Sequence, residues 1–592
     1  MKTADRKLTA ALAALVAACF LLAGAFALPV SAAEAPSAEG GFMMQEGASV
    51  RLEEGGSGIR FSATVTEEFY QALKTAYGEN AGIEFHMVVG AGEDFGQPND
   101  YVSEGVPSFG QSGEYVYREA IIYDRLEEDL TAYYTEQGKT GEELTALVAE
   151  GIEKAYKTEL NAKAYVKVTP ESGEAVTIDA VPADTLRSMQ GVALAALVKG
   201  GYEENSEEET ALKSYLGGEL TVNRETALAG YFDAESTGTL TSEVGDGSYT
   251  AYFGAKKVGS AVVAEGQETV VIDGLSGFDR MTVGEDYPVT LYNEESGTAF
   301  VRDFKYVSKV IDEASDLAMF KIVNTFEGSA GIVESGLFDG YYVLGKDIDA
   351  TGYTHANSGL NLYQASNRWF TTQGLGNCGL KGTFDGNGHT ISNLALGQFG
   401  LFGLINGGTV KNVAIEISSM SGGYTAGLCW FALDAVIENV HLEVAELPGN
   451  SGRAALAASI LQSEVNNVLI EVRDVLWPAG VEEYCNYGSF ISMNVNTVAD
   501  VEPNTFTNVY IISAFKATAS RRQGEAVVYI DGENRDCENT YTGIKRYDTI
   551  ADMIANRNYL GEEPLSPNDY SSFTECGCWH LSEDGIPVFG AN

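Results

Sequence analysis

Basic residues are scarce in this chain of 592 residues. Lysine and arginine together number 37 against 84 aspartates and glutamates, which gives a formal net charge of −47 at pH 7. Nucleic acid and anionic membrane surfaces carry the same sign of charge, so the composition makes both poor partners. The excess of carboxylates instead fits a solvated exterior, cationic partners or diffuse calcium binding.

Histidine is rarer still, and two common catalytic motifs are missing. The five histidines share no metal-binding spacing; they are His86, His355, His389, His441 and His580. None stands in an H-E-x-x-H sequence, which excludes the zinc peptidase chemistry that depends on that motif. A G-x-S-x-G nucleophile elbow is also absent, which excludes the corresponding serine hydrolase arrangement.

Cysteine is sparse and unevenly placed. Beyond residue 33 there are six cysteines, all in the C-terminal half: Cys378, Cys429, Cys485, Cys537, Cys576 and Cys578. Six in so long a chain do not make the disulfide-dense framework of small secreted domains. The closely spaced Cys576 and Cys578 lack the second pair of ligands that a structural zinc site requires.

The chain has one long apolar run, and this run lies near the N-terminus. A basic start (MKTADRK), the run LTAALAALVAACFLLAGAFAL and the small residues of PVSAAEA predict a secretory signal peptide over residues 1–33. The alternative is a lipoprotein processing site at Cys19, but the apolar run continues beyond Cys19 and favours ordinary cleavage. We therefore expect a secreted or cell-surface protein without a membrane span.

The rest of the chain divides into several predicted modules. Residues 40–235 alternate strand and helix patterns, which predicts an α+β module. Residues 236–306 alternate apolar and polar positions between glycine turns, which predicts a small β-rich domain. A predicted helix at 311–324 caps a third region, 310–592.

The first module resembles a domain found in secreted proteins of anaerobic Gram-positive bacteria. The resemblance rests on GASVR (47–51) with GIRF (58–61), on AYVKV (164–168) and on DTLRSMQGVALAAL (184–197). It implies a module without assigned catalytic chemistry.

A self-similar string occupies the third region. TISNLAL (390–396), TVKNVAIEI (409–417), VIENVHLEV (436–444), EVNNVLIEV (464–472) and TFTNVYIIS (505–513) share the form apolar-x-Asn-apolar-x-apolar. The asparagines, spaced by 19, 27, 28 and 41 residues, are Asn393, Asn412, Asn439, Asn467 and Asn508. A short apolar run precedes four of these strands, so each period supplies two strands, a pattern typical of a β-solenoid.

We predict that these asparagines occupy equivalent corners of a right-handed parallel β-helix, or β-solenoid. An asparagine side chain at a corner can hydrogen-bond its counterparts in the neighbouring rungs, and the residue tolerates a left-handed backbone. Asn412, Asn439 and Asn467 should then form a ladder whose steps are one strand separation, ~4.8 Å.

The same region resembles the GLUG-motif regions of bacterial surface and secreted proteins, and the non-catalytic β-helical part of some Gram-positive surface metallopeptidases. The matching segments are DGYYVLGKDIDATGY (339–353), GTFDGNGHTISNLAL (382–396) and GLFGLINGGTVKNVAI (400–415). A closing segment of similar kind follows at YDTIADMIAN (547–556) and CWHLSEDGIPVF (578–589). The resemblance implies a β-helical architecture and assigns no activity.

The segment GTFDGNGHTISNL contains the most obvious catalytic pair, because Asp385 and His389 lie four residues apart among glycines. The repeat supplies another interpretation, in which residues 386–388 make a turn and Ile391 and Leu394 face the core. We favour the turn, and we therefore assign no catalytic residue.

Two aspartates, Asp347 and Asp349, offer the hard oxygen ligands that calcium prefers. Their spacing is not that of an EF-hand loop, and a turn explains them about as well. Calcium is thus the one cofactor that the sequence suggests.

Three glutamates supply the rival hypothesis of a polysaccharide-active enzyme, either a lyase or a glycoside hydrolase. Glu416, Glu443 and Glu471 each follow a repeat asparagine by four residues, so a regular solenoid stacks them in one column. Glycoside hydrolases use paired carboxylates, whereas glutamates on a solvated face need no function. We favour the solvated face, and with it a non-enzymatic protein that binds a glycan or protein ligand, or serves a structural role, at the cell exterior.

Overall fold

The computed structural model describes most of the chain from residue 36 onward. The described ranges are 36–53, 56–103, 106–233, 238–241, 244–265, 269–273, 281–321, 337–357, 379–421, 425–448, 453–476, 488–489, 492–495, 502–513, 540–557 and 566–590. The predicted signal peptide at 1–33 lies outside these ranges, as do Cys378, Cys485 and Cys537. The described chain is mostly β-structure.

The chain divides into two compact units. The first comprises Met1–Ala229, Leu240–Gly277 and Tyr287–Phe304. The second comprises Gly230–Thr239, Phe278–Asp286 and Lys305–Asn592.

Antiparallel strands and helices build the N-terminal part of the first unit. The strands are β1 (Phe42–Met44), β2 (Ser49–Glu53), β3 (Gly56–Thr66), β4 (Gly82–Ala91), β5 (Gly96–Val102), β6 (Glu114–Ile122), β7 (Glu159–Thr169), β8 (Val176–Asp179) and β9 (Arg187–Ser188). One sheet has the order β1-β3-β2 with β6 on β3, and the other has the order β5-β4-β7-β8 with β9 on β7. The helices are α1 (Glu67–Tyr77), α2 (Leu126–Glu136), α3 (Gly141–Lys157), α4 (Met189–Lys199) and α5 (Glu207–Tyr215).

A closed barrel of seven strands follows. Its order is β10-β11-β14-β13-β12-β15-β16, and the strands are β10 (Thr221–Phe232), β11 (Gly238–Thr241), β12 (Gly247–Phe253), β13 (Lys256–Val263), β14 (Thr269–Asp273), β15 (Asp286–Asn293) and β16 (Thr298–Tyr306). The barrel thus begins at Thr221, earlier than the small β-rich domain predicted at 236–306. Tyr252 and Tyr292 of the barrel are buried in the same hydrophobic cluster as Leu194 of α4 and Leu212 of α5.

All strand pairings described between residues 309 and 547 are parallel. The strands are β17 (Lys309–Ile311), β18 (Leu337–Phe338), β19 (Tyr341–Leu344), β20 (Ile348–Asp349), β21 (Thr354–His355), β22 (Gly379–Leu380), β23 (Thr383–Asp385), β24 (Thr390–Leu396), β25 (Phe402–Asn406), β26 (Thr409–Met420), β27 (Thr425–Ala426), β28 (Cys429–Leu433), β29 (Val436–Pro448), β30 (Arg453–Ala454), β31 (Ala457–Leu461), β32 (Glu464–Leu476), β33 (Gly488–Ser489), β34 (Ser492–Val495), β35 (Thr505–Ile512), β36 (Thr540–Thr542) and β37 (Lys545–Tyr547). They form sheets of twelve, six and three strands.

Three consecutive repeats each contribute one strand to each of the three sheets. The strands that neighbour one another in the large sheet are β26, β29 and β32. Their counterparts from the same repeats are β25, β28 and β31 in the six-stranded sheet, and β27, β30 and β33 in the small sheet. The sequence predicted only two strands per repeat. The third was missed because strands such as Thr425–Ala426 have two residues, too few to show an alternation of apolar and polar positions.

The space between the sheets is filled by apolar columns. Val413, Val440, Val468 and Val509 pair in register from β26 to β35 and are fully buried. Stacked residues of one kind bury each other's surface, so a single repeat could not be stable without its neighbours.

The predicted helix at 311–324 is not formed by the described residues. Ile311 ends β17, and a short 3-10 helix covers Asp316–Phe320. Phe320 is fully buried, and its ring lies 5.2–5.5 Å from the ring centroids of four aromatic residues of the repeat region: Phe338, Tyr342, Phe384 and Phe402. The ring of Phe320, rather than a helix, packs against the first strands of the apolar core.

The last residues form a closing segment on the outer face of the large sheet. Its elements are α6 (Ile550–Ile554), α7 (Ser571–Thr574), β38 (Trp579–Leu581) and β39 (Pro587–Phe589). Phe573 and Trp579 are buried in one cluster with Leu469 of β32 and Tyr510 of β35. These two strand residues point away from the core and are covered by the closing segment.

Candidate functional site

Four of the predicted asparagines bend their strands in the same way. Their φ angles are 53–55°, in the left-handed region; they are Asn412, Asn439, Asn467 and Asn508. In an extended strand Val410 and Val413 would face opposite sides, because side chains alternate. The left-handed residue between them changes the alternation, and both valines are fully buried. Asparagine is one of the few residues that adopt this conformation readily.

The side chains of these four residues, here called the asparagine ladder, are hydrogen-bonded in series. The amide nitrogen of Asn439 donates to the amide oxygen of Asn412 at 3.1 Å. Asn467 donates to Asn439 at 3.1 Å, and Asn508 donates to Asn467 at 3.2 Å. Polar groups at the corners are therefore satisfied within the protein, which avoids the free-energy cost of burying them unpaired.

Asn393 does not belong to the ladder. Its φ is also left-handed, at 56°, but its amide nitrogen donates to the carboxylate of Asp349 at 3.0 Å. In the register of β24 with β26, Ile391 pairs with Ile415, so Asn393 lies beyond Asn412 along the strand. The interval of 19 residues before Asn412, shorter than the repeat, reflects this difference.

Asp385 accepts the hydrogen bond at the start of the ladder, although it pairs in register with Lys411 and so lies one residue before the position equivalent to Asn412. The amide nitrogen of Asn412 donates to Asp385 Oδ1 at 3.0 Å, across 27 residues of sequence. The separation equals the repeat length, although Asp385 and Asn412 are not paired in register. The sequence pattern missed Asp385 because the pattern demanded asparagine.

The other contacts of Asp385 are also structural. Oδ1 accepts the backbone N–H of Asn387 at 2.9 Å, and Oδ2 accepts the hydroxyl of Tyr341 at 2.6 Å. Lys411 Nζ lies 3.6 Å from Oδ2. The residue is only 4% exposed. Burial, reinforced by the adjacent carboxylate, raises the pKa of Tyr341 well above its ordinary value, so Tyr341 remains a hydrogen-bond donor.

His389 interacts with a different carboxylate. Its Nδ1 lies 3.3 Å from Asp347 Oδ1, while Asp385 has the partners given above. Between the two residues the chain turns, with φ of 52° at Asn387 and 80° at Gly388. A Cβ added to Gly386 would lie 2.4 Å from the carbonyl oxygen of Asn412, so only glycine allows the next rung to approach.

The predicted calcium ligands take part in hydrogen bonds of their own. Asp349 Oδ1 accepts from the hydroxyl and the N–H of Thr351, at 2.6 and 3.0 Å, as well as from Asn393. Asp347 Oδ1 accepts the N–H of Thr390 at 2.8 Å. Within the part of the chain that the structure describes, no three Asp, Glu, His or Cys side chains come together as a metal site.

The three glutamates form the column that their spacing predicted. Glu416 pairs in register with Glu443, and Glu443 with Glu471. The inward neighbours are fully buried, as expected: Ile415, Leu442 and Ile470. His441 Nε2 lies 3.1 Å from Glu471 Oε1, and Arg473 forms an ion pair with Glu443. Two of the three carboxylates thus have partners of basic type.

No helix in the described ranges combines the length and apolar character needed to cross a membrane. Comparison with known proteins gives little further information. Neither a family model nor a solved structure matches the chain. A stretch of 138 residues, 22% of the chain, is 30% identical to halomucin from Haloquadratum walsbyi, and it covers 1% of that protein. The chain therefore spans a very small part of the length of this relative.

Proposed function

We propose that this chain is a secreted or cell-surface protein of a Gram-positive bacterium, with a non-enzymatic binding or structural role. In this proposal residues 310–592 form a right-handed parallel β-helix of the GLUG-motif type. Three sets of parallel strands, repeated every 27 or 28 residues along the ladder, support that architecture. The signal peptide predicted at residues 1–33 supports export.

The observation that carries the proposal is that the Asp385 carboxylate is fully engaged in hydrogen bonds within the protein. The sequence made it the most obvious catalytic acid of the repeat region, yet both its oxygens accept hydrogen bonds from neighbouring strands and turns. A general acid or base must reach a substrate proton. The carboxylate is instead committed to holding one rung against the next.

The part of the outer face of the large sheet that carries the glutamate column is the surface we propose for binding. The column of Glu416, Glu443 and Glu471 follows the repeat axis, and Glu416 is exposed. Together with the net charge of −47 it favours a ligand with cationic or hydrogen-bond-donating groups, presented by a glycan or a protein.

A polysaccharide-active enzyme is the second candidate, favoured by the same column. Neighbouring strands are about 4.8 Å apart, so successive glutamates come near the ~5–5.5 Å separation of the carboxyl groups in retaining glycosidases. The ion pair of Arg473 with Glu443 and the contact of His441 with Glu471 weigh against it, because they occupy two of the three acids.

One experiment distinguishes the two functions. The chain from residue 34 onward is applied to a glycan and mucin array and, in parallel, to an assay for released reducing sugar. We expect binding without sugar release, and weaker binding by the variant E416Q/E443Q. The matched control is Glu142→Gln, which removes an exposed charge from α3 in the other unit. Sugar release that disappears in E416Q/E443Q, but not in the control, would favour the enzyme.

A further inference from the structure

Two thiols lie one residue apart in the closing segment, in the turn between α7 and β38. Cys576 and Cys578 are both free. The N–H of Cys578 donates to Cys576 Sγ at 3.3 Å, and the Cys578 thiol donates to the Cys576 carbonyl oxygen at 3.6 Å. Gly577 has a φ of 73°, which makes the turn tight.

The two thiols differ in their surroundings. Cys578 is buried in the cluster that contains Phe573 and Trp579, whereas Cys576 is only partly buried at the edge of that cluster. An incoming molecule can therefore reach Cys576 before Cys578. This is the arrangement expected of an attacking thiol and a resolving thiol.

The pKa values of the two thiols are shifted in opposite directions. The neighbouring Cys578 side chain lowers the pKa of Cys576 to about 7, helped by backbone N–H groups of the turn. The same interaction raises the pKa of Cys578, and burial raises it further. The lowered pKa increases the fraction of Cys576 that is a thiolate, the form that attacks disulfides.

We propose that Cys576 and Cys578 form a thiol–disulfide exchange site, whose substrates are disulfides outside the cell. The Cys576 thiolate attacks one sulfur of the substrate disulfide, which forms a mixed disulfide and releases the first substrate thiol. Cys578 then loses its proton and attacks Cys576 Sγ, which closes the Cys576–Cys578 bond and releases the second thiol. Two protein thiols are oxidised, and one substrate disulfide is reduced to two thiols.

The chain contains its own comparison in Cys429. This thiol is free and fully buried, and burial raises its pKa. It has no second cysteine in the same turn, so it should neither exchange nor form a ring. The exchange chemistry does not depend on the binding role proposed above.

A redox titration tests the proposal. The full chain is equilibrated in mixtures of reduced and oxidised glutathione, quenched with acid, alkylated and digested with trypsin. Arg557 is the last lysine or arginine, so one tryptic peptide, 558–592, carries Cys576 and Cys578 and no other cysteine. We expect this peptide to lose two hydrogen atoms in a single transition, without a stable glutathione adduct. A peptide that stays a dithiol throughout, or ends as an adduct, would overturn the proposal.

Two variants test the order of attack. C578S should accumulate one glutathione on Cys576, because the resolving thiol is missing. C576S should leave Cys578 unmodified in the folded chain, and native alkylation of Cys576 should be at least about tenfold faster than that of Cys429. Equal reaction of the two variants would contradict the assigned roles. Circular dichroism verifies their folding, and if either variant unfolds the wild-type titration alone decides.

Discussion

The hydroxyl of Ser572 donates a hydrogen bond of 2.7 Å to the side-chain oxygen of Asn467, although 105 residues separate the two in sequence. The same hydroxyl accepts from the amide nitrogen of Asn508 at 2.9 Å, and the carbonyl of Ser572 accepts from Asn467 at 3.2 Å. One residue of the closing segment is therefore bound to the last two members of the ladder.

Replacement of Ser572 by alanine should lower the free energy of unfolding by about 1 kcal/mol, because Asn467 and Asn508 each lose one hydrogen bond but keep the bond between them. Urea denaturation gives the value. Thr574→Ala is the control, since its hydroxyl contacts only the carbonyl of Ser571 nearby and is exposed. A Ser572 effect no larger than the control would show that the contact adds no stability.

Replacement of Asn439 tests the ladder itself. Asn439→Ala removes both side-chain hydrogen bonds and places alanine at a φ of 55°. Asn439→Gly removes the same bonds but tolerates the backbone. We expect both variants to be destabilised, alanine by about 1–2 kcal/mol more than glycine. Equal losses would mean that the left-handed corner stores no strain.

A double-mutant cycle separates Asn393 from the ladder. Asn412 and Asn439 are bonded to each other, so their alanine substitutions should be non-additive by about 0.5 kcal/mol or more. Asn393 has Asp349 as its partner, so Asn393→Ala and Asn439→Ala should add within about 0.5 kcal/mol. Strong coupling in the second pair would restore Asn393 to the ladder.

Asp349 should contribute stability that depends on pH. Hydrogen bonds, first from Thr351 and then from Asn393, lower the pKa of this carboxyl in the folded protein. A lowered folded pKa favours the native state above the unfolded pKa, and that contribution disappears as pH falls through the folded value. The free energy of unfolding should therefore fall less steeply for Asp349→Asn than for the wild type as the pH is lowered from about 5 to about 2. Parallel curves would contradict the assignment.

Calcium should have little effect on the same turn. Asp347 and Asp349 already accept hydrogen bonds, and in the described ranges no third acid joins them. We expect millimolar calcium to raise the melting temperature by only about 1–2 °C, equally in wild type and in Asp349→Asn. A shift at micromolar calcium that is lost in the variant would establish a specific site.

His389→Ala and Asp385→Ala should differ in stability rather than in activity. Asp385 is buried with four partners, so its loss should cost about 2–4 kcal/mol, whereas the partly exposed His389 should cost less than about 1 kcal/mol. Any reducing-sugar release should stay within a few-fold in His389→Ala. A thousand-fold loss with the fold intact would restore the catalytic pair.

Spacing was sufficient to predict part of this arrangement. Asn412, Asn439 and Asn467 recur at the repeat length. Asparagine suits a corner for two reasons: it tolerates the left-handed backbone, and its side chain hydrogen-bonds the neighbouring repeats. Asp385 was missed because the sequence pattern required asparagine, whereas a carboxylate can also accept the hydrogen bond from Asn412. Ser572 could not be predicted, because no local pattern relates a residue to a partner 105 positions away.

The place of Asp385 gives the ladder a polarity. A carboxylate can only accept, so Asn412 must turn its NH₂ group towards Asp385 and its oxygen towards Asn439, and every later amide must follow the same orientation. A duplicated repeat inserted after Asn412 would find a donor and an acceptor already facing the right way. A repeat added before Asp385 would meet a group with no proton to offer. Repeats can therefore be added to the ladder only on the C-terminal side of Asp385, and this residue marks the N-terminal limit of the hydrogen-bonded array.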